Sequence, residues 1–237
     1  MSQLYPHLVG LHGLFGVVAL ATFWTAALLR KGTPLHRRVG QTYLAAMVGI
    51  CLTAVPMVWV FVQRGRIGIA VFLAYLVVIT ATAMWLGWRA IRRRRHQAQF
   101  RDRAYAGVAM LNLVAALIVF GIGWQMQQAL LMGFSVVGLA TGTQMLVARA
   151  RPSSHGNWWL QEHYAAMVAC GAATHVAFLS IGLGRLARAA GFTVPGWYGL
   201  LAWFVPVALA VIATTLLHRR YRRAGRIPAG SAVAVAN

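Results

Sequence analysis

Eight histidines, at positions 7, 12, 36, 96, 155, 163, 175 and 218, share this chain with only two acids, Asp102 and Glu162. A neutral imidazole can ligate a metal or a haem iron, and it can pass a proton near neutral pH. With carboxylates almost absent, the histidines are where chemistry would reside. His96, His155 and His218 fall in basic loops or in the basic tail and are explained by their surroundings. His7, His12, His36, His163 and His175 remain.

These five separate into two levels once the elements that carry them are drawn. An α-helix rises about 1.5 Å per residue, so crossing a hydrocarbon layer takes about 20 apolar residues. Seven segments meet that length, at approximately 8–29, 42–62, 67–90, 104–123, 129–148, 162–183 and 196–217. The chain has 237 residues, 60% of them hydrophobic and 10% charged, with mean hydropathy +0.67. A soluble domain carries about 25% charge of both signs, which excludes a conventional cytoplasmic enzyme. The expected fold is an all-α polytopic transmembrane bundle of about seven spans, one domain over residues 1–218, followed by a basic, partly disordered tail over 219–237. Met1–Pro6 contains no Lys or Arg, so the first span is expected to be a retained helix and not a signal peptide.

Charge sets the expected orientation. With the N-terminus outside, 18 Lys and Arg residues fall on the cytoplasmic side and four on the other. The positive-inside rule therefore predicts N-out, C-in in the cytoplasmic (inner) membrane. The run Ile91–His96, IRRRRH, joins two spans, where orientation and contact with anionic headgroups account for it. Nucleic-acid binding is not expected, and membrane lipids are the expected partners. Asp102 stands between Arg101 and Arg103, and local charge pairing is its expected role.

At the outer level, His12 lies about 6 Å and His175 about 12 Å from the outer ends of their predicted spans. If those spans are neighbours, the two imidazoles could supply both axial ligands of a haem, with Gly16, Gly171 and Ala172 leaving room for the ring. With His7 as a third donor, the same group could instead hold zinc or copper. Interhelical hydrogen bonding, a proton route or plain packing are the competing readings.

At the inner level, His36 adjoins Arg37 and Arg38, and His163 adjoins Glu162. Either arginine could neutralise Glu162, or the group could form a proton path, grip haem propionates or bind an anionic headgroup. Glu162 could equally be a helix-terminal acid. His163 and His175 are twelve residues apart, about 18 Å along a helix and about 120° around it. That spacing disfavours two stacked haems on one face. His7 and His12 are about 140° apart, which weakens shared ligation if both are helical.

Small residues are expected to mark tight helix crossings: Gly10, Gly13 and Gly16 in the first span, Gly133, Gly138 and Gly142 in the fifth. Pro56 and Pro206 are expected to bend their helices. Most tryptophans suit an interfacial belt, while Trp24 and Trp203 lie deeper. Cys51 and Cys170 both fall within spans and are expected to be buried thiols, not a disulfide. Asn112 and Gln144 could hydrogen-bond each other between the fourth and fifth spans. No Gly-rich nucleotide loop, HExxH helix, serine nucleophile elbow or CxxCH attachment occurs, so any haem would be b-type.

From His7 to Tyr43 the chain reads HLVGLHGLFGVVALATFWTAALLRKGTPLHRRVGQTY, a histidine in a Gly-rich first span followed by a basic loop ending L-H-R-R-x-G-x-x-Y. This stretch resembles the DUF2306 family of small bacterial integral membrane proteins, an uncharacterised group. The resemblance places His12, His36, Arg37, Gly40 and Tyr43 on signature positions, with a weaker echo in QEHYAAMVACGAATHVAFL around His163 and His175. Such proteins are commonly four-span units, whereas this chain has seven expected spans. The resemblance implies a membrane histidine site and names no ligand. The leading expectation is a haem b protein with a redox, electron-transfer or cofactor-handling role and a quinone or redox-protein partner. The alternatives are a transporter of an unknown solute, a zinc- or copper-dependent membrane enzyme acting on a lipid, and an assembly role.

Overall fold

A computed structural model describes residues 4–153 and 156–224, and every regular element among them is helical. The elements are α1 (Leu4–Leu28), α2 (Pro34–Gln63), α3 (Ile67–Arg92), α4 (Gln97–Phe100), α5 (Arg103–Gln125), α6 (Ala129–Ala150), α7 (Trp158–Ala177), a π-helical turn (Phe178–Leu183), α8 (Gly184–Ala189) and α9 (Tyr198–Ala224). Seven helices are long and apolar enough to span a membrane, α7, the π turn and α8 counting as one continuous helix of 32 residues. Bulky apolar side chains such as Leu14, Leu52, Leu117, Val136, Leu209 and Val211 are exposed on the bundle's exterior. An exterior of that kind requires lipid around it, and the chain is a multi-pass membrane protein.

Two boundaries differ from expectation in ways that matter for the histidines. The second span begins at Pro34, eight residues early. Thr33 caps it by accepting the backbone N–H of His36 at 3.2 Å, and Pro34 occupies the first turn, where its missing N–H costs nothing. His36, Arg37 and Arg38 are therefore helical and not loop residues. The sixth span runs from Trp158 to Ala189 and not from 162 to 183. Its extension places His175 eighteenth of 32 residues, near the middle of the helix.

α3 and α7 form the central pair. α3 also packs against α2 and α5, and α7 also packs against α1 and α9, while α1–α2 and α5–α6 form hairpins. The glycines of α6 do mediate close crossings. A Cβ on Gly138 would stand 2.7 Å from Tyr75 Oη, and one on Gly142 would stand 2.8 Å from the Ala109 carbonyl oxygen. Gly10, Gly13 and Gly16 do not: nothing lies within 4 Å of a Cβ built on any of them. α1 is peripheral and packs through Val18, Ala19 and Phe23 instead, leaving its glycines off the contact.

The loops at one end of the bundle, with the end of α9, carry most of the arginines, and two of these are pinned structurally. Buried Arg89 donates through Nε to Phe100 O at 3.1 Å and through Nη2 to Gln99 O at 2.6 Å, and pairs with Asp102 at 2.6 Å. Phe100, with no exposed surface, plugs the core beneath them. Asp102 also caps α5 by accepting Tyr105 N–H at 3.1 Å. Slight desolvation acts the other way, but the Tyr105 N–H and the Arg89 guanidinium hold this carboxyl below the usual carboxylate range. Its ion-pair partner is thus Arg89, a turn of chain away, and neither flanking arginine. Arg101 instead reaches Ala148 O at 2.6 Å and Glu162 at 3.1 Å.

α9 carries the helix through residues 219–224, the first part of the expected tail; positions 225–237 and His155 lie outside the described residues.

Candidate functional site

At the arginine-rich end, α1 stops at Leu28 and leaves its last carbonyls without intrahelical partners. Lys31 Nζ covers those of Ala26, Ala27 and Leu29. His36, in the first turn of α2, adds a bond from Nδ1 to Ala26 O at 3.1 Å. A carbonyl oxygen only accepts, so Nδ1 carries a proton, and in the neutral ring Nε2 keeps its lone pair.

His163 repeats this arrangement from α7. Its Nδ1 donates to Gly87 O of α3 at 3.0 Å. The approach is possible because Gly87 has no side chain: Met167 Cε sits 2.1 Å from where its Cβ would be, with Ala166 beside it. No protein hydrogen bond occupies Nε2 of either His36 or His163 among the described residues. The two rings are half-buried. Arg37 and Arg38 are exposed beside His36, and Gly40, one turn further along α2, has open space where a Cβ would stand.

Further along α2, Tyr43 Oη lies 3.3 Å from Thr174 Oγ1 of α7, and Thr53 Oγ1 lies 2.9 Å from His12 Nδ1. Thr53 has one hydroxyl proton, directed to Gly49 O at 2.7 Å. His12 Nδ1 is therefore the donor to Thr53, and in the neutral ring Nε2 keeps the lone pair.

His175 is different, because both its nitrogens are engaged. Nδ1 donates to Gly171 O at 2.7 Å, one turn back, and Nε2 accepts the indole N–H of Trp24 at 3.0 Å. Phe23 meets the His175 ring edge-on at 5.5 Å and fills the space over Gly171, 2.2 Å from an ideal Cβ.

His12 and His175 are consequently not brought together. Trp24, on which His175 rests, is twelve residues from His12 on α1, about 18 Å along that helix. α2 gives the same answer: Thr53, at His12, and Tyr43, beside Thr174, are ten residues or about 15 Å apart. The cause is the long sixth span, which puts His175 at mid-helix. His7 is exposed near the start of α1. Among the described residues no three His, Cys, Asp or Glu side chains are grouped so as to hold a metal, so the set His7, His12 and His175 does not assemble.

The inner trio divides as well. His36 and His163 stand at the same end of the bundle, each on a backbone carbonyl, whereas Glu162 turns to Arg101 and not to Arg37 or Arg38. Asn112 donates to Thr82 Oγ1 and Val108 O, both at 2.8 Å, on the face toward α3. Gln144 is exposed on the opposite side of α6 from its buried Gly142–Met145 face, so the expected Asn112–Gln144 bond is absent. Trp24 and Thr53 were not recognised as histidine partners from sequence. Trp24 had one signal, its depth in an apolar span.

Two neutral imidazoles with fixed Nδ1 protons and open Nε2 lone pairs, at one end of a membrane bundle and beside two exposed guanidinium groups, can ligate an iron or exchange protons. Compared with family models, with curated proteins and with solved structures, the chain matches none.

Proposed function

We propose that this is a membrane haem-binding protein with a redox role, and that His36 and His163 are the axial ligands of a haem b. One observation carries the reading: both imidazoles have Nδ1 anchored on a backbone carbonyl of a neighbouring helix, and both leave Nε2 without a partner among the described residues. An anchored Nδ1–H fixes the tautomer and the ring plane and raises the basicity of the opposite nitrogen. Anchors on α1 and α3 hold ligands on α2 and α7, so the pair is oriented by four helices. Arg37 and Arg38 are placed to neutralise propionates, and the open side of Gly40 leaves room beside His36. Bound haem would supply one-electron chemistry, while the protein sets its potential through axial ligands, second-shell bonds and burial.

The donor set fits haem at this pair better than at His12 and His175, where one lone pair is already taken and the glycine slot is filled. Zinc or copper at the same imidazoles would need further donors. By the positive-inside rule the arginine-rich end is cytoplasmic, so the haem would lie near the cytoplasmic surface of a bacterial inner membrane. A quinone in the lipid or a soluble redox protein would be its partner there.

Electron paramagnetic resonance of the oxidised, detergent-purified protein tests the ligand set. The reading predicts a low-spin ferric signal of bis-imidazole type that is lost in His36→Ala and in His163→Ala. A high-spin signal, or haem indifferent to both substitutions, would defeat it.

A further inference from the structure

Between the two histidine levels the bundle interior is lined by sulfur. α2 contributes Met47 and Cys51, four residues apart and so on one face; α7 contributes Met167 and Cys170, three apart; α3 contributes Met84. All five belong to, or pack against, one buried cluster. Cys51 Sγ lies 3.9 Å from Met84 Sδ. Met47 Sδ lies 3.4 Å from the hydroxyl of Thr174, one turn beyond Cys170. The two cysteines are free thiols, Cys170 with no exposed surface and Cys51 half-buried.

Methionine often fills gaps in cores and a free cysteine often behaves as a small apolar residue. Here three helices bring two thiols and three thioethers into one cluster, and the two carboxylates of the described chain are paired to arginines elsewhere. We propose that this cluster is a binding site for a soft monovalent cation, Cu(I). Thiolate and thioether donors select Cu(I) over harder ions. Charge favours the same ion. One thiol gives up its proton to solvent as its Cu–S bond forms and the other binds as a neutral thiol, so one thiolate, one thiol and thioethers leave a neutral complex, which a hydrocarbon interior tolerates. Copper enters and remains as Cu(I), so no electron is exchanged. The half-buried Cys51 marks the side from which the ion reaches Cys170.

The test uses full-length, tag-free protein in detergent, titrated anaerobically with Cu(I) against a chromogenic Cu(I) chelator. Stoichiometric Cu(I) is expected, with an all-sulfur shell by X-ray absorption and protection of both thiols from alkylation. Cys51→Ser and Cys170→Ser should abolish retention. Met84→Leu should weaken it by at least the roughly tenfold that loss of even an outer partner costs a metal site. His36→Ala with His163→Ala should retain copper, which separates this site from the haem reading. Cys51 is the informative position should the fully buried Cys170→Ser fail to fold. Copper that persists in Cys51→Ser, that carries nitrogen ligands, or that zinc displaces would overturn the assignment, as would no retention by the wild type.

Discussion

The indole N–H of Trp24 donates to Nε2 of His175 over 3.0 Å, while Nδ1 of the same ring holds Gly171 O at 2.7 Å. That pair ties α1 to α7 and consumes both nitrogens of a histidine that sequence reading offered as a ligand. It also sets a ruler on α1: the other proposed ligand, His12, lies twelve residues away with a partner of its own, Thr53. The bundle therefore has an interhelical brace where a cofactor pair was expected. The two histidines that rest by Nδ1 on a backbone carbonyl of a neighbouring helix are found at its arginine-rich end.

If His175 is a brace, Trp24→Phe keeps the ring packing and removes only the donor. The expected cost is about 1 kcal/mol of stability, in the range for one interhelical hydrogen bond in a membrane bundle, with no change in haem content. Unfolding by denaturing detergent, with absorbance read on the same sample, measures both.

Glycine substitutions should discriminate contact faces. A Cβ on Gly171 would meet the Phe23 ring at 2.2 Å, whereas one on Gly13 would meet nothing within 4 Å. Gly171→Ala is expected to destabilise by about 1–3 kcal/mol, as overpacking does. Gly13→Ala should stay within about 0.5 kcal/mol of wild type. Equal effects in a thermal-unfolding series would mean that α1 packs by its glycine face after all.

Arg101 and Glu162 form an ion pair in which the arginine side chain is 7% exposed and the glutamate 23%. Removing one partner of such a pair strands a charge, so Arg101→Met should cost about 3 kcal/mol. Arg101→Met combined with Glu162→Gln should recover much of that loss. A double-mutant cycle on purified protein checks this, and strict additivity would argue that the two groups do not interact.

Asp102 predicts an acid dependence. Its carboxyl is held below the unfolded-state value by the Tyr105 N–H and Arg89. The native state therefore binds this proton less readily, and the contribution to stability is present above the unfolded pKa of about 3.9. It is lost as pH falls from there through the folded pKa. Asp102→Asn keeps a competent helix cap and removes the charge. Stability profiles of the two proteins should converge at acid pH and separate toward neutrality. Parallel profiles would mean that the Arg89 pair does not matter in solution.

The seven spans were legible because hydropathy and length alone decide them in a bilayer. Their ends were less so. Arg37 and Arg38 look like loop residues by charge, yet long basic side chains at a helix end extend to the headgroups while the backbone remains helical, and Thr33 with Pro34 starts α2 early. The sixth span continues through Gly184–Ala189, past its expected end, without a sequence marker, and that changes the depth of His175. Chemically informative residue types were recognisable; their partners were not. Asp102 is bonded to Arg89, Glu162 to Arg101 and Asn112 to Thr82 because the helices' rotation about their axes brings those faces together, and rotation leaves no local trace in a nearly uniform apolar pattern.

The central claim is that His36 and His163, and neither His12 nor His175, hold a haem. A reduced-minus-oxidised absorption spectrum of protein purified from haem-sufficient cells tests it most directly, read for wild type and for the four single alanine variants. The account predicts a b-type spectrum in the wild type that survives His12→Ala and His175→Ala and collapses in His36→Ala and His163→Ala. A featureless wild-type spectrum, or one that depends on His12 and His175, would contradict it.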